Sequence, residues 1–373
     1  MSLDVIELIQ GNSMNYTIKQ RNMNALAEYQ TYLYSHPKLQ FLFFELTDCC
    51  NLRCIHCGSR CDNKNNTYLP YEIIEKVLNE VSKAFNPNEI MICLTGGEPL
   101  LHKDVYKVIK KSKLLGFKVG MTTNGTLINK EVAKKLKDSG LDTISISIDG
   151  LKDTHDKFRN IVGSYDLAID GINNLREVYL EPEVTTVVHK DNLNELEELY
   201  KLFSNMNIYS WKILNIDPIG RAKENNVFLN SDELIYVYEF IKNKRFDLNN
   251  VMNINYGCSH FVTFKYENMI RDFYFQCIAG LKVASIMRNG DIGACLDIER
   301  RDDLIQGNIY KDDFIDVWNN NFKIFRRNKS KDSKVCKKCK YANVCRGDAT
   351  HTWDYDNKRP LYCVNNMIGV NNG

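Results

Sequence analysis

The chain has 373 residues, 49 lysines and arginines against 47 aspartates and glutamates, and a formal charge of +2; so even a balance points away from nucleic acid or an acidic membrane surface as a partner. No apolar run reaches the roughly 18 residues of a membrane span and no charged-then-apolar leader opens the chain, which excludes a helical membrane protein. Most of the 13 cysteines stand in metal-binding spacings that an export compartment would oxidise, so a cytoplasmic and anaerobic setting is expected.

Residues 1–38 read as a polar lead-in, with a helix over 22–34. Over residues 39–46 the side chains are nearly all apolar, the pattern of a strand buried in a parallel sheet. That strand runs into a loop carrying Cys50, Cys54 and Cys57, three thiolates separated by three and then two residues. A loop of this spacing wraps three corners of a cubane [4Fe–4S] cluster and leaves one iron without a protein ligand. Structural zinc takes four ligands, usually from two CxxC pairs, and this segment supplies one such pair; Cys61, four residues on, does not extend the pattern. An open iron can bind a small molecule, whereas a closed four-cysteine site only holds structure or passes electrons.

A helical pattern over residues 71–85 and an apolar run over 90–94 lead to Thr95, Gly96, Gly97, Glu98 and Pro99. Paired glycines let backbone approach a ligand and expose its amide and carbonyl groups. A CxxxCxxC loop with His56 in the aromatic slot before its last cysteine, followed one helix later by this GGEP turn, resembles the radical S-adenosylmethionine (SAM) enzymes. The resemblance implies SAM bound to the open iron at Cys50, Cys54 and Cys57, with Gly96, Gly97, Glu98 and Pro99 gripping its amino group. It also implies an α/β fold, a partial (β/α)6 TIM-like barrel over residues 39–221.

Helical and strand patterns then alternate: helices over 103–115, 130–139, 165–179 and 193–206, strands over 117–123, 143–148, 183–188 and 210–216. Functional groups of such a barrel sit at the C-terminal ends of its strands, where Cys50, Glu98, Asn124, Asp149 and Lys190 fall. Ser147, Asp149 and Arg159 are similar to the family's SAM ribose and carboxylate region: two groups for hydroxyls and a guanidinium fork for the carboxylate. The alternative is that Ser147 merely alternates on a strand face and Arg159 is a solvated neighbour of a helix cap. Pro218 to Arg221 closes the barrel segment with no assigned role.

Residues 222–276 form a bridging segment, a helix over 231–244 followed by an aromatic stretch including Tyr256, Phe261, Phe264, Phe273 and Phe275, either core or substrate wall. Beyond it, Cys277, Gly290, Cys295, Cys336, Cys339, Cys345 and Cys363 are spaced in a way that resembles the SPASM domain, an auxiliary-cluster module of many peptide- and protein-modifying radical SAM enzymes, over residues 277–366. The resemblance implies a distal auxiliary [4Fe–4S] cluster on Cys336, Cys339, Cys345 and Cys363. Where the pattern places another cysteine four residues after Cys345, this chain has Ala349. A nearer cluster is thus left with Cys277 and Cys295, and Cys258, Asp348 or a group of the substrate would have to complete it. A zinc ribbon is the other reading of residues 336–363.

This resemblance further implies oxidative crosslinking, by a thioether or carbon–carbon bond, of a ribosomally made peptide. An external one-electron donor of flavodoxin or ferredoxin type would drive it, and Asp297 or Cys61 would exchange a proton with the substrate. Similar enzymes act on a sulfatase Cys or Ser to give formylglycine, or on a tetrapyrrole side chain, and both remain alternatives. A non-enzymatic electron carrier would have no use for an open iron. Residues 1–38 are too few for the leader-binding domain of many peptide maturases, so a leader would be read elsewhere.

Overall fold

The computed structural model describes residues 3–62, 64–257, 260–361 and 363–368, with side chains from residue 18 onward. Helix α1 (Leu3–Ser35) precedes the sheet, in which β1 (Phe41–Glu45), β2 (Met91–Thr95), β3 (Lys118–Thr123), β4 (Thr143–Ser147), β5 (Pro182–Val188) and β6 (Ser210–Asn215) lie side by side in chain order, each neighbouring pair parallel. The crossovers carry α2 (Tyr71–Ala84), α3 (Val105–Leu114), α4 (Lys130–Ser139), α5 (Lys152–Arg159), α6 (Ser164–Glu177) and α7 (Leu196–Asn205). Period decides which face each presents. On α2, Ile74, Val77, Leu78 and Val81 recur every three to four residues and are buried, whereas β5 buries every second residue. Helix α4 begins where the Asn129 side chain accepts the Val132 amide at 2.9 Å and ends at Gly140, whose φ of +88° suits a residue without Cβ.

The sheet does not stop at six parallel strands. After α8 (Gly220–Asn225) and α9 (Ser231–Phe246), β7 (Asn253–Tyr256) adds parallel to β6, and β8 (Val283–Ile286) adds parallel to β1 on the opposite edge. Two short antiparallel strands, β9 (Asp291–Gly293) and β10 (Gly307–Asn308), extend beyond β8. The partial barrel therefore has eight parallel strands, two contributed by segments that read as a bridge and as a Cys-rich module. Strands of four residues carry too little period to be recognised from sequence.

Side chains of α1 from residue 18 onward brace the C-terminal part. Met23 and Ala27 share a small apolar core with Phe261, Phe264, Phe275, Tyr341, Val344 and Ala349. Gln30 donates to the Cys277 carbonyl at 3.2 Å, and Arg346 donates to the Tyr34 hydroxyl at 2.9 Å and to Thr31 Oγ1 at 2.8 Å. Of the aromatic stretch, Tyr256, Phe261, Phe264 and Phe275 are buried core and Phe273 is exposed.

Candidate active site and iron–sulfur sites

The loop after β1 is held by backbone. The Gly97 amide donates to the Thr47 carbonyl at 2.7 Å and the Glu98 amide to the Cys49 carbonyl at 2.9 Å. A Cβ on Gly97 would lie 2.1 Å from the Cys49 oxygen, and one on Gly96, at φ +144°, 2.5 Å from the Thr47 oxygen. The glycines are thus required first by the cysteine loop itself. On the other side, Arg221 donates to the Cys54 carbonyl at 2.8 Å and the Cys61 carbonyl at 2.9 Å, and its amide donates to the Cys57 carbonyl at 3.1 Å. Gly220, at φ +52°, lets α8 approach so closely that a Cβ would sit 2.4 Å from the Cys57 oxygen. Pro218 to Arg221, without a role in the sequence, is a clamp on the cysteine loop.

Cys50, Cys54 and Cys57 open into one cavity of about 400 Å³, whose wall also includes Gly96, Gly97, Asn124, Ser147 and Arg159. Asn124 approaches the Cys50 sulfur at 4.0 Å and Arg159 donates to the Cys54 sulfur at 3.5 Å. Three thiols with polar donors directed at two of them fit a three-cysteine iron–sulfur site, because hydrogen bonds to the sulfurs stabilise their negative charge. The other end of Arg159 is ion-paired with Asp149, and Asp149 also accepts the Val187 amide at 2.8 Å. Burial works against that carboxylate, but Arg159 holds its pKa below the usual range. The Arg159 fork is therefore spent on a carboxylate of the protein and a cysteine sulfur.

Glu98 stands behind the wall, fully buried, accepting Thr123 Oγ1 at 2.7 Å and the amides of Asn124 at 2.9 Å and Leu100 at 3.1 Å. Burial pushes its pKa up. Pro99 is buried beside it and opens a short 3₁₀ turn. Lys190 is exposed beyond β5. His56 stacks on Phe158 at 4.3 Å, and Phe158 on His189 at 3.8 Å; burial, reinforced by Arg159, lowers the His56 pKa to about 3 and keeps it neutral. Cys61 lies against the loop cysteines, and its hydrogen bond pulls the Cys57 thiol down to about 6 despite burial.

The far wall of the same cavity comes from the C-terminal segment, through Leu296, Asp297 and His351, and from the end of β6, through Asp217. One Asp217 oxygen meets His351 Nε2 at 2.8 Å and the other His260 Nε2 at 2.8 Å, while His260 Nδ1 meets Asp348 at 2.8 Å. With a carboxylate on each ring nitrogen, the buried His260 is an imidazolium donating from both. Burial alone would lower its pKa, yet Asp348 and Asp217 raise it to about 10. His351 is likewise raised against burial by its bond to Asp217. This series of four side chains runs from the cavity to the segment of Cys345.

A second cavity, of about 590 Å³, is lined by all four of Cys336, Cys339, Cys345 and Cys363. Of the remaining expected ligands, Asp348 also lines this cavity, whereas Cys277 and Cys295 do not. Asp348 spends one oxygen on His260 and the other on the Phe261 amide at 3.0 Å. Cys277 contacts the Thr350 hydroxyl at 3.0 Å and amide at 3.3 Å. Lys329, buried beside it, donates to Thr350 Oγ1 at 3.2 Å and the Asp348 carbonyl at 3.1 Å; burial opposes the Cys277 thiolate, but Lys329 brings its pKa below normal. Cys295 lies 3.9 Å from Asp297. Cys258 falls outside the described residues.

The sequence matches the Radical SAM superfamily over residues 44–203 and the SPASM iron–sulfur cluster-binding domain over residues 277–340. It is 30% identical over 338 residues to an AdoMet-dependent heme synthase of Nitratidesulfovibrio vulgaris, covering 83% of this chain and 87% of the relative. The chain belongs to the radical SAM superfamily. A second AdoMet-dependent heme synthase, from Methanosarcina barkeri, is 28% identical over 351 residues, 88% of this chain and 96% of the relative. The radical SAM fold is shared with Streptococcus suis SuiB bound to its precursor peptide SuiA, at a TM-score of 0.72 and 20% identity over 89% of this chain and 76% of that one. It is also shared with anSMEcpe bound to AdoMet and the Cp18Cys peptide, at 0.66 and 20% over 87% and 91%. The two domains imply [4Fe–4S] clusters, with AdoMet (SAM) as the bound cosubstrate.

Cys50, Cys54 and Cys57, the glycine turn and the four cysteines that line the second cavity stand in local spacings that the sequence shows. Asp217, Arg221, His260 and His351 do not. The Gly-Arg pair after a barrel strand is the only sequence signal that pointed toward any of them.

Proposed function

We propose that this radical SAM protein oxidises a C–H bond of a peptide or small-protein side chain entering between the barrel rim and the SPASM domain. Cys50, Cys54 and Cys57 hold the radical SAM cluster, and Gly96, Gly97 and Ser147 line the AdoMet pocket. Bound AdoMet, given one electron by that cluster, supplies the carbon radical that takes a hydrogen atom from the substrate. Asn124 and Arg159 steady the thiolates, and Asp297, exposed in the opposite wall, would accept the proton the substrate releases when its second electron passes to an auxiliary cluster. His351, held by Asp217 at 2.8 Å, stands in the same wall as Asp297. One observation carries the assignment: barrel cysteines and SPASM acid–base groups face the same cavity. Cys336, Cys339, Cys345 and Cys363 hold one auxiliary cluster, and the buried ammonium of Lys329 takes the place of further ligands beside Cys277.

Wall charge supports the peptide reading. Among the described residues, the two lining arginines are committed, Arg159 to Asp149 and Cys54 and Arg221 to backbone carbonyls, so neither fork is available to a propionate. A tetrapyrrole substrate is the second reading, favoured by the near full-length similarity to AdoMet-dependent heme synthases. Reconstituted protein with AdoMet and a low-potential reductant is to be incubated with peptides encoded beside its gene and, separately, with an iron porphyrin carrying propionate side chains. Loss of two hydrogens from a peptide, with one 5′-deoxyadenosine per product, supports the first reading; AdoMet-dependent modification of a porphyrin side chain with untouched peptides decides for the second.

A further inference from the structure

Each of the three loop sulfurs has a side-chain partner. Asn124, fixed by its bond to Asn51 at 2.9 Å, approaches Cys50, and Arg159 donates to Cys54. For Cys57 the partner is Cys61, whose side chain shares a hydrogen bond with it. A buried free cysteine is ordinarily a small apolar filler, and Cys61 is 2% exposed. Its neighbours, however, are the loop thiols: it packs with Cys50, Leu52, Cys54 and Cys57 and borders the reaction cavity. The backbone bends to bring it there. Arg60 has φ +54°, in the left-handed region that a residue with Cβ seldom adopts, and its amide donates to the Cys57 carbonyl at 3.4 Å. Beyond the bend, the Cys61 carbonyl accepts Arg221 at 2.9 Å and the Asp62 carbonyl accepts the Cys50 amide at 3.0 Å. Cys61 is thus fastened beside the Cys57 corner and not at the iron that three cysteines leave open. Its other acceptor, the Ser59 carbonyl, lies 3.8 Å from its sulfur, and a charged thiolate is the stronger acceptor of the two.

We propose that Cys61 is a positioning residue of the radical SAM cluster: its S–H donates to the Cys57 thiolate and raises the potential at which the cluster takes up the electron used on AdoMet. Like an ordinary cysteine, the donor is a thiol at neutral pH. A hydrogen bond to a ligand sulfur favours the reduced cluster, which holds one more negative charge. The cluster gains one electron from the external reductant, and no bond is made or broken in that step. This inference rests on the reading that Cys50, Cys54 and Cys57 hold the cluster, and it takes Cys61 out of proton exchange with the substrate.

The test is an anaerobic redox titration of the cluster-loaded full chain, followed by EPR, in which the loop cluster is the one whose signal AdoMet changes. Cys61→Ala is expected to lower the ratio of reduced to oxidised loop cluster about tenfold at a fixed poise, a shift of about 59 mV to lower potential for one electron. Cys61→Ser keeps a donor and is expected to stay near wild type. Cys61→Val fills the space without a donor and is expected to follow Cys61→Ala. The auxiliary signals should titrate alike in all four proteins. Equal loop potentials in the iron-loaded proteins overturn the proposal, as does a wild-type potential in Cys61→Val, which would leave Cys61 a packing role. Loss of the loop iron from both Cys61→Ala and Cys61→Val also overturns it, in favour of a role in cluster assembly. Iron content separates the two levels: a wild-type chain without loop iron removes the cluster reading, whereas loaded proteins of equal potential remove the role of Cys61 alone.

Discussion

Asp217 places two imidazoles on one buried carboxylate, and its replacement has a determinate cost. With Asp217→Asn the charge opposing His260 and His351 is lost, and a buried ion pair broken on one side costs about 3 kcal/mol or more. The folded-state pKa of Asp217 is depressed, since His260 and His351 outweigh burial. Its stabilisation is therefore present above the unfolded value of about 3.9 and is lost as pH falls toward and below it. Anaerobic thermal melts should show the variant well below wild type at neutral pH, with the gap closing on acidification; a gap independent of pH would remove the ion-pair account. Asp297 makes a separable prediction. Asp297→Asn should slow product formation about a hundredfold, the range of a lost general base, while 5′-deoxyadenosine still forms; equal loss of both would assign Asp297 to AdoMet binding. Around Cys277, the Thr350 hydroxyl and amide already contact the sulfur, and the charge of Lys329 favours its thiolate. Cys277→Ser should then leave iron at about eight atoms per chain, two cubanes, and a fall to about four below wild type would restore a nearer cluster there.

At the scale of elements, the turn after β2 and the start of α8 press the cysteine loop from two sides. Gly97→Ala puts a methyl where the Cys49 oxygen stands 2.1 Å away, so the loop must shift, and about four irons should be lost while the auxiliary absorbance stays. A variant that retains all its iron and only binds AdoMet weakly would return the glycine to a ligand-facing role. Period carried the elements that were legible: helix over 130–139 is observed as Lys130–Ser139, and the six longer strands are found within two residues of their sequence limits. Helix α5 was not, because Lys152–Arg159 is mostly polar and only His155, Phe158 and Arg159 are buried. The site divides in the same way. Cys50, Cys54 and Cys57 are near neighbours in sequence, so their spacing shows, whereas Asp217, His260 and Asp348 come together across 43 and 88 residues and no local pattern links them. Glu98 was legible as part of the turn, but its buried carboxylate is spent on Thr123, Asn124 and Leu100, which only the packed structure shows.

At the scale of the molecule, the SPASM segment completes the barrel. Strand β8 pairs with β1 in register, Leu42 beside Ala284 and Phe44 beside Ile286, and the residues just beyond it reach back across the sheet. Glu45 at the end of β1 is fully buried, and its carboxylate is paired with Arg288, at 3.0 Å, and with Arg300; Arg288 also holds Asp48 at 2.6 Å, two residues before Cys50. Ending the chain after residue 276 would strip the edge of β1 of its hydrogen-bonding partner. It would also leave Glu45 without either cation, a loss of about 3–5 kcal/mol for a buried charge. Residues 1–276 expressed alone should therefore aggregate or fail to hold the radical SAM cluster, although every loop cysteine is present. The comparison that isolates the cause is the full chain with Cys336, Cys339 and Cys345 changed to Ser, which keeps β8, Arg288 and Arg300. It should lose only the auxiliary iron, retain about four irons at the loop and still cleave AdoMet. Should residues 1–276 fold with those four irons and cleave AdoMet at the full-length rate, the barrel is independent of the SPASM domain, and the ion pairs on Glu45 are a consequence of docking rather than a condition of it.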